Sequence, residues 1–184
     1  AVMLRLSSHE DIVEFSKHSS KPVINALSDE SHPCQILADL MTYQEERGAI
    51  QGKKISWIGD GCNVCQTYMQ AAVIFDFELS IATPNGYRPS EIFIQQYQKN
   101  IILTNVPMDA CKDADIVVTD VWTSMGQESE KNQRESAFSG FQVNELMMNQ
   151  ARKDAVFMHC LPAYRGIEVS PEVIDGSQSV VWSE

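Results

Sequence analysis

The sequence predicts an α/β fold. The expected architecture is a doubly wound, mostly parallel sheet with helices on both faces, preceded by the tail of another α/β unit. Three observations predict it. From Lys53 onward, short apolar runs alternate with stretches whose apolar residues recur at helical spacing. Turn sequences, Gly59-Asp60-Gly61 and Pro84-Asn85-Gly86, punctuate the runs. And 184 residues with 43% hydrophobic content suffice to bury a sizeable core. The segment around 47–53 is the expected boundary, dividing 1–48 from 49–184.

Each element has its own reason. Residues 2–6 read as a buried strand, and 10–17 as a short helix with Ser8 as its cap. Residues 22–25 form a short extended run. A helix begins at Pro33, where the missing N–H costs nothing. It carries Ile36, Leu37, Leu40 and Met41 at helical spacing and stops at Gly48. Residues 55–58 form a strand, and the helix from about Asn63 presents Val64, Tyr68, Ala71, Ala72 and Phe75. Strands follow at 79–83, 101–104, 116–119, 156–158 and 180–182. Helices are expected at 90–99, 108–111, 128–137 and 144–152.

Composition excludes some functions. A net charge of -11 argues against a broad nucleic-acid footprint, which needs clustered Lys and Arg. It leaves room for an anionic substrate, because a few Arg, His and helix N-termini hold a phosphate locally. No apolar run approaches the ~20 residues of a membrane span. The odd count of five cysteines argues for reduced thiols in a cytosol-like compartment, and no signal or transit segment is read. Cys62 and Cys65 form a CxxC without a second ligand pair at zinc spacing. The chain starts within one apolar run, 1–4, and stops just after another, 180–182. It is therefore expected to be part of a longer one.

In open parallel sheets, ligands bind beyond the carboxyl ends of the strands. The residues that directly follow three predicted strands are Asp60, Cys62 and Asn63; Asp120, Ser124 and Met125; and His159 and Cys160. An amide, a carboxylate and a thiol thus meet at one edge. Taken singly, each has a plainer reading. Gly59-Asp60-Gly61 makes a tight turn with Asn63 as helix cap, Asp120 caps a loop, Cys160 is a core thiol, and His32 opens a helix. The turn lacks the third glycine of a dinucleotide fingerprint, which disfavours a nicotinamide cofactor.

Four segments together resemble ornithine carbamoyltransferases: His32-Pro33-Cys34-Gln35-Ile36-Leu37-Ala38-Asp39, Trp57-Ile58-Gly59-Asp60-Gly61-Cys62-Asn63, Asp120-Val121-Trp122-Thr123-Ser124-Met125-Gly126-Gln127, and His159-Cys160-Leu161-Pro162. The likeness covers essentially the whole chain. The Ser-Met-Gly loop and His-Cys-Leu-Pro are its specific parts, and they point to ornithine rather than aspartate as acceptor.

The resemblance implies a Rossmann-like ornithine-binding domain after the end of a carbamoyl-phosphate-binding domain. It implies that Arg5, His32 and Gln35 hold carbamoyl phosphate, with Arg5 and His32 polarising the carbonyl and Gln35 reading the amino group. Cys160 and the backbone of Leu161 would close over the same group, and Asn63, Asp120, Ser124 and Met125 would hold ornithine. Cys160 would act as the catalytic residue, assisting with Asp120 the loss of a proton from the attacking amine. No metal and no organic cofactor is expected. The implied partners are carbamoyl phosphate, L-ornithine and further copies of the chain in a trimer or a multiple of trimers. The implied compartment is a bacterial-like cytoplasm, or the mitochondrial matrix in a eukaryote.

Two positions depart from the family's habit: Cys34 stands where Thr is common, and Cys62 where Asn is. The family's Ser-Thr-Arg-Thr phosphate loop would fall before Ala1, and none of Arg5, Arg47, Arg88, Arg134, Arg152 or Arg165 lies in such a motif. Arg165 is read as a surface charge, with a phosphate contact as the alternative. Another amine acceptor, or a chain that only binds ornithine, are the competing functional readings.

Overall fold

The computed structural model describes residues 1–123 and 128–184. Two parallel sheets carry the chain. The first has two strands, β1 (Val2–Arg5) and β2 (Val23–Leu27), joined through α1 (His9–His18). Ser8 caps α1 by accepting the Asp11 N–H. Helix α2 (Pro33–Arg47) packs on β2 and ends at Gly48, whose φ of 93° favours glycine.

The second sheet contains β3 (Lys54–Ile58), β4 (Glu78–Ala82), β5 (Ile101–Thr104), β6 (Ile116–Thr119) and β7 (Val156–His159). Its spatial order is β5-β4-β3-β6-β7, and all four pairings are parallel. Helix α3 (Asn63–Phe75) links β3 to β4, and α4 (Glu91–Tyr97) links β4 to β5. The chain then crosses back through α5 (Pro107–Cys111) to β6, on the other side of β3. The connections after β3 and after β6 therefore leave in opposite directions, which opens a crevice at the carboxyl ends of those strands. Ile58 is paired with Thr119, and Thr119 with His159. The residues that follow each strand consequently emerge side by side.

Strand side chains alternate between two cores. Ile55, Trp57, Val118 and Met158 face α2 and α3, packing with Ile36, Leu40, Tyr68 and Met69. Ile58, Val117 and Phe157 face the opposite layer, built by Trp122, Phe138, Phe141 and Val143 with Met147 and Ile174. Those last two belong to the short helices α7 (Glu145–Met148) and α8 (Pro171–Ile174), and α6 (Lys131–Ala137) lies on the same side. Helices on both faces confirm the doubly wound reading.

Four expectations need correction. The run at 2–6 is not buried among the described residues: Met3 is 66% exposed, and its register partner Ile24 is also open to solvent. Leu37 and Met41 point away from the core that Ile36 and Leu40 enter. The helix expected over 144–152 stops at Met148, because the next residues take tertiary partners instead. Gln150 O accepts the Asp113 N–H at 2.9 Å, and the Arg152 N–H donates to Ala114 O at 3.0 Å. Finally, 180–182 is not a strand. Phe157 exchanges bonds with Gln178 O (2.8 Å) and the Val180 N–H (3.0 Å), and the chain then turns, closed by Ser183 N–H to Val180 O at 2.9 Å. That turn buries Val181 and returns Glu184 to the carboxyl edge of the sheet.

Candidate active site

The start of α2 forms one wall of the site. Pro33 fixes the first helical residue, and His32 precedes it. The His32 backbone N–H donates to Thr67 Oγ1 at 2.8 Å, and Thr67 in turn donates to Asn63 O at 2.7 Å. The first turn of α2 is thereby pinned to the first turn of α3. His32 Nδ1 is buried without a partner. Burial, then the nearby Arg5 guanidinium, lower the His32 pKa, with Asp120 opposing them. The shift favours the neutral ring, which offers an N–H rather than a full cation.

One turn further on, Gln35 is held at both N–H bonds of its amide. Nε2 donates to Asp39 Oδ1 and to Glu184 Oε1, each at 2.8 Å. Asp39 is buried, and its other oxygen accepts from the Tyr68 hydroxyl at 2.5 Å. Glu184 Oε2 accepts the His159 N–H at 3.1 Å. Burial above all, then the Asp39 carboxylate, push the Glu184 carboxyl up to about 9. Burial also raises Asp39.

The opposite wall is the loop after β7. His159 is buried, with both ring nitrogens engaged: Nδ1 accepts the Leu161 N–H at 3.0 Å, so Nε2 carries the proton and donates to Glu168 Oε1 at 3.2 Å. Glu168 Oε1 also accepts the Tyr164 N–H at 2.5 Å. Leu161 sits at a φ of 45°, a conformation that this hydrogen bond to the imidazole helps to fix. Between the walls lies a cavity of about 250 Å³, lined by His32, Cys34, Gln35, Ala38, His159, Cys160, Leu161, Val181 and Glu184.

Asp120 emerges from β6 beside this cavity. Its Oδ1 accepts the Val121 N–H at 2.7 Å, and the Cys62 thiol reaches its Oδ2 at 3.9 Å. Burial and then Asp120 raise the Cys160 pKa well above the ordinary thiol range. Cys62 is raised in the same way, and Cys65 by burial foremost. All five cysteines are free thiols. Asp120, His159 and Cys160 bring an oxygen, a nitrogen and a sulfur within 4.8 Å of one another. His159 has already committed both nitrogens, so the trio is not a ready metal-ligand set. Of the CxxC, Cys62 reaches Asp120 through its thiol, while Cys65 is buried in the core.

Arg134, on α6, ties Trp122 to the turn after β3. Its side chain is buried; it donates to the Trp122 carbonyl and pairs with Asp60, and its guanidinium lies 4.9 Å from the Tyr87 ring centre. The turn after β3 is equally tight. A Cβ on Gly61 would overlap the backbone nitrogen of Pro89, which no side chain tolerates.

The structure thus brings together His32, Gln35, Cys160 and Leu161 around one cavity, with Asp120 adjoining. Arg5 ends β1 close enough to His32 to influence its titration, but it does not line the cavity. Asn63 points elsewhere: its amide donates to Ser28 O at 2.6 Å and its oxygen accepts the Val64 N–H. Ser124 and Met125 lie outside the described residues. Arg165 forms an exposed two-pronged pair with Asp175, at 2.7 and 2.9 Å, in keeping with a surface charge. Sequence reasoning missed Asp39, Tyr68, Arg134, Glu168 and Glu184. Asp39 left a signal, since a carboxylate one turn after Gln35 falls between Ile36 and Leu40 on a buried helix face. The others left none, because only the fold brings them near.

Comparison with known proteins identifies the family of this fold. Residues 51–184 match the family model described as the aspartate/ornithine carbamoyltransferase Asp/Orn binding domain. Residues 1–45 match the carbamoyl-P binding domain of the same family. The chain is 58% identical over 183 residues to the ornithine carbamoyltransferase of Ruthia magnifica subsp. Calyptogena magnifica, covering 100% of itself and 61% of that protein. The ornithine carbamoyltransferase structure from Pyrococcus furiosus superposes with a TM-score of 0.91 at 45% identity, over 98% of this chain and 60% of that one. A mitochondrial ornithine carbamoyltransferase from Coccidioides immitis gives 0.86 at 36% identity, over 98% and 59%. The chain therefore spans about 60% of the length of the relatives it matches. The chain belongs to the aspartate/ornithine carbamoyltransferase family.

Proposed function

We propose that the full-length protein transfers the carbamoyl group of carbamoyl phosphate to the side-chain amine of L-ornithine, giving L-citrulline and phosphate. The observation that carries this reading is the cavity framed by His32, Gln35, Cys160 and Leu161, with Asp120 beside it. Gln35 meets the carbamoyl amino group. His32, through an N–H, and Arg5, as a cation, stabilise the negative charge that grows on the carbonyl oxygen; such donors contribute about 3 kcal/mol each. The free N–H groups of the first turn of α2 favour the phosphate.

Ornithine binds on the Asp120 side. Asp120, Asn63, Ser124 and Met125 hold its α-amino and α-carboxylate ends, which requires Asn63 to exchange its bond with Ser28. The amine attacks the carbonyl carbon and loses a proton toward Asp120, with the Cys160 thiol as the neighbouring donor. Because Cys160 is held as a thiol, the accepting base of the pair is Asp120. The tetrahedral intermediate collapses with departure of phosphate. No metal or organic cofactor enters this scheme.

We propose a homotrimer, or a multiple of trimers, as the working form. The relatives support a bacterial cytoplasm or a mitochondrial matrix as its place. No helix among the described residues is long and apolar enough to cross a membrane. The decisive test supplies the full-length protein with carbamoyl phosphate and ornithine, aspartate or putrescine in turn. Citrulline should form from ornithine alone. Carbamoylation of aspartate or putrescine instead would overturn the acceptor assignment, and no product from any of them would overturn the activity.

A further inference from the structure

Gln35 has an amide that can face a ligand in two ways: as a donor through its NH₂ or as an acceptor through its oxygen. The surrounding carboxyls remove that choice. Both N–H bonds are taken, one by Asp39 Oδ1 and one by Glu184 Oε1, at 2.8 Å each. Oε1 takes no hydrogen bond among the described residues and is not among the buried, unpartnered atoms, while Gln35 lines the cavity. The two carboxyls are themselves fixed from behind. Tyr68 donates to Asp39, and the His159 backbone donates to Glu184. The seat thus joins α2, α3, the loop after β7 and the final turn of the described chain.

We propose that Asp39 and Glu184 are positioning residues that make Gln35 selective for a carbamoyl over an acyl group, by holding its amide with the oxygen toward the substrate. The inference rests on the carbamoyl-transfer reading above and adds the origin of its donor selectivity. An acceptor fixed in that direction pairs with the amino group of carbamoyl phosphate. Facing the methyl group of acetyl phosphate, a molecule of almost the same shape, it would be desolvated without a partner. A site built to bond a polar group rejects the analogue that lacks it far more strongly than size alone would. Two carboxyls close to one amide would repel one another if both were ionised. Burial raises both, so the pair keeps a proton between them and the seat stays closed.

The test measures dissociation constants for carbamoyl phosphate, acetyl phosphate and inorganic phosphate on the full-length protein, wild type and Glu184→Gln. The variant keeps an oxygen for the His159 N–H but offers Gln35 a donor, so the amide can turn over. The carbamoyl-to-acetyl preference should fall about tenfold, the worth of one hydrogen bond, with inorganic phosphate affinity unchanged. Asp39→Asn should lower the same ratio. If it folds poorly, the Glu184→Gln ratio alone decides. An unchanged preference, or proportional weakening of all three ligands, overturns the proposal and leaves the carboxyls a structural role. A wild type that makes citrulline separates that failure from the failure of the underlying function. A wild type that neither binds carbamoyl phosphate nor makes citrulline overturns both.

Discussion

The two sides of the cavity are held in opposite ways. On the Gln35 side, a neutral amide is held by two carboxyls, the buried Asp39 and the half-buried Glu184, which a tyrosine hydroxyl and a backbone N–H fix in turn. On the Asp120 side, the carboxylate has, among the described residues, one backbone bond and the Cys62 thiol at 3.9 Å. That side is held at a distance, through Arg134 on the Trp122 carbonyl and on Asp60. The first arrangement presets one group for one small, invariant ligand feature. On the proposed mechanism, the second leaves the Asp120 carboxylate open to take up a proton from the incoming amine. Breaking the anchor of the second side and breaking the seat of the first should therefore have different signatures.

The largest effect is expected at the anchor. Arg134→Ala removes the charge that offsets Asp60, a carboxyl already raised by its own burial, and releases the Trp122 carbonyl. Removing one partner of a buried pair costs about 3–5 kcal/mol. Urea unfolding should record that loss, and ornithine binding should weaken more than carbamoyl phosphate binding. Equal weakening of both ligands would mean that Arg134 supports the whole sheet edge and does not serve the Asp120 side in particular.

The chemistry of the Asp120 side comes next. Cys160→Ala should lower kcat about a hundredfold, the low end for a group that assists proton transfer. The pH–rate profile should shift, because the neighbour that raises the thiol is Asp120 itself. Carbamoyl phosphate affinity should change less. A pH profile that stays put would leave Cys160 as a packing or binding residue and move proton handling to Asp120 alone.

The contrast also explains what was legible in the sequence. Strand rhythm and turn residues were readable because period-2 and period-3.6 patterns follow from local geometry. His32, Gln35, Asp120 and Cys160 were readable because they sit at strand or helix ends in a recognisable wording. The seat around Gln35 was not. Glu184 reaches it only through a turn that looked like a strand, since Val180-Val181-Trp182 is apolar whether it pairs or folds back. Asn63 shows a related limit of the sequence. Its position at the start of α3 suggests a ligand contact, but the same position lets it tie α3 to Ser28. Leu37 and Met41 share the spacing of core residues, and spacing alone does not say which side of a helix has a neighbour.

The seat should announce itself in the pH dependence of stability. Glu184 titrates near an ordinary 4.5 when exposed and at about 9 in the fold. Across that window the folded chain binds a proton that the unfolded chain has lost. The contribution to stability is thus fully present below 4.5 and lost as pH rises to about 9, beyond which it is constant. Glu184→Gln cannot lose the proton. The wild-type melting temperature should fall more steeply than that of the variant between mildly acidic and mildly alkaline pH, with the two curves closest at the acid end. Parallel curves would mean that the carboxyl is solvated and not seated.

The smallest expected effect tests how far back the seat extends. Tyr68→Phe keeps the ring that packs on Trp57, with centroids 5.9 Å apart, and removes only the hydroxyl that donates to Asp39. One hydrogen bond to a charged or partly charged group contributes about 1.5–3 kcal/mol. Part of that is recovered, because Asp39 can hold the shared proton itself once Tyr68 no longer supplies one. The net loss should be about 1 kcal/mol in urea unfolding, with kcat nearly unchanged. The carbamoyl-to-acetyl preference should also stay within about twofold of wild type, since Asp39 Oδ1 still accepts from Gln35. If Tyr68→Phe instead lowered that preference as far as Glu184→Gln does, the selectivity would lie in the whole buried network rather than in the two carboxyls that touch the amide. The contrast between a tightly preset side and a loosely held one would then extend through α3 into the core of the sheet.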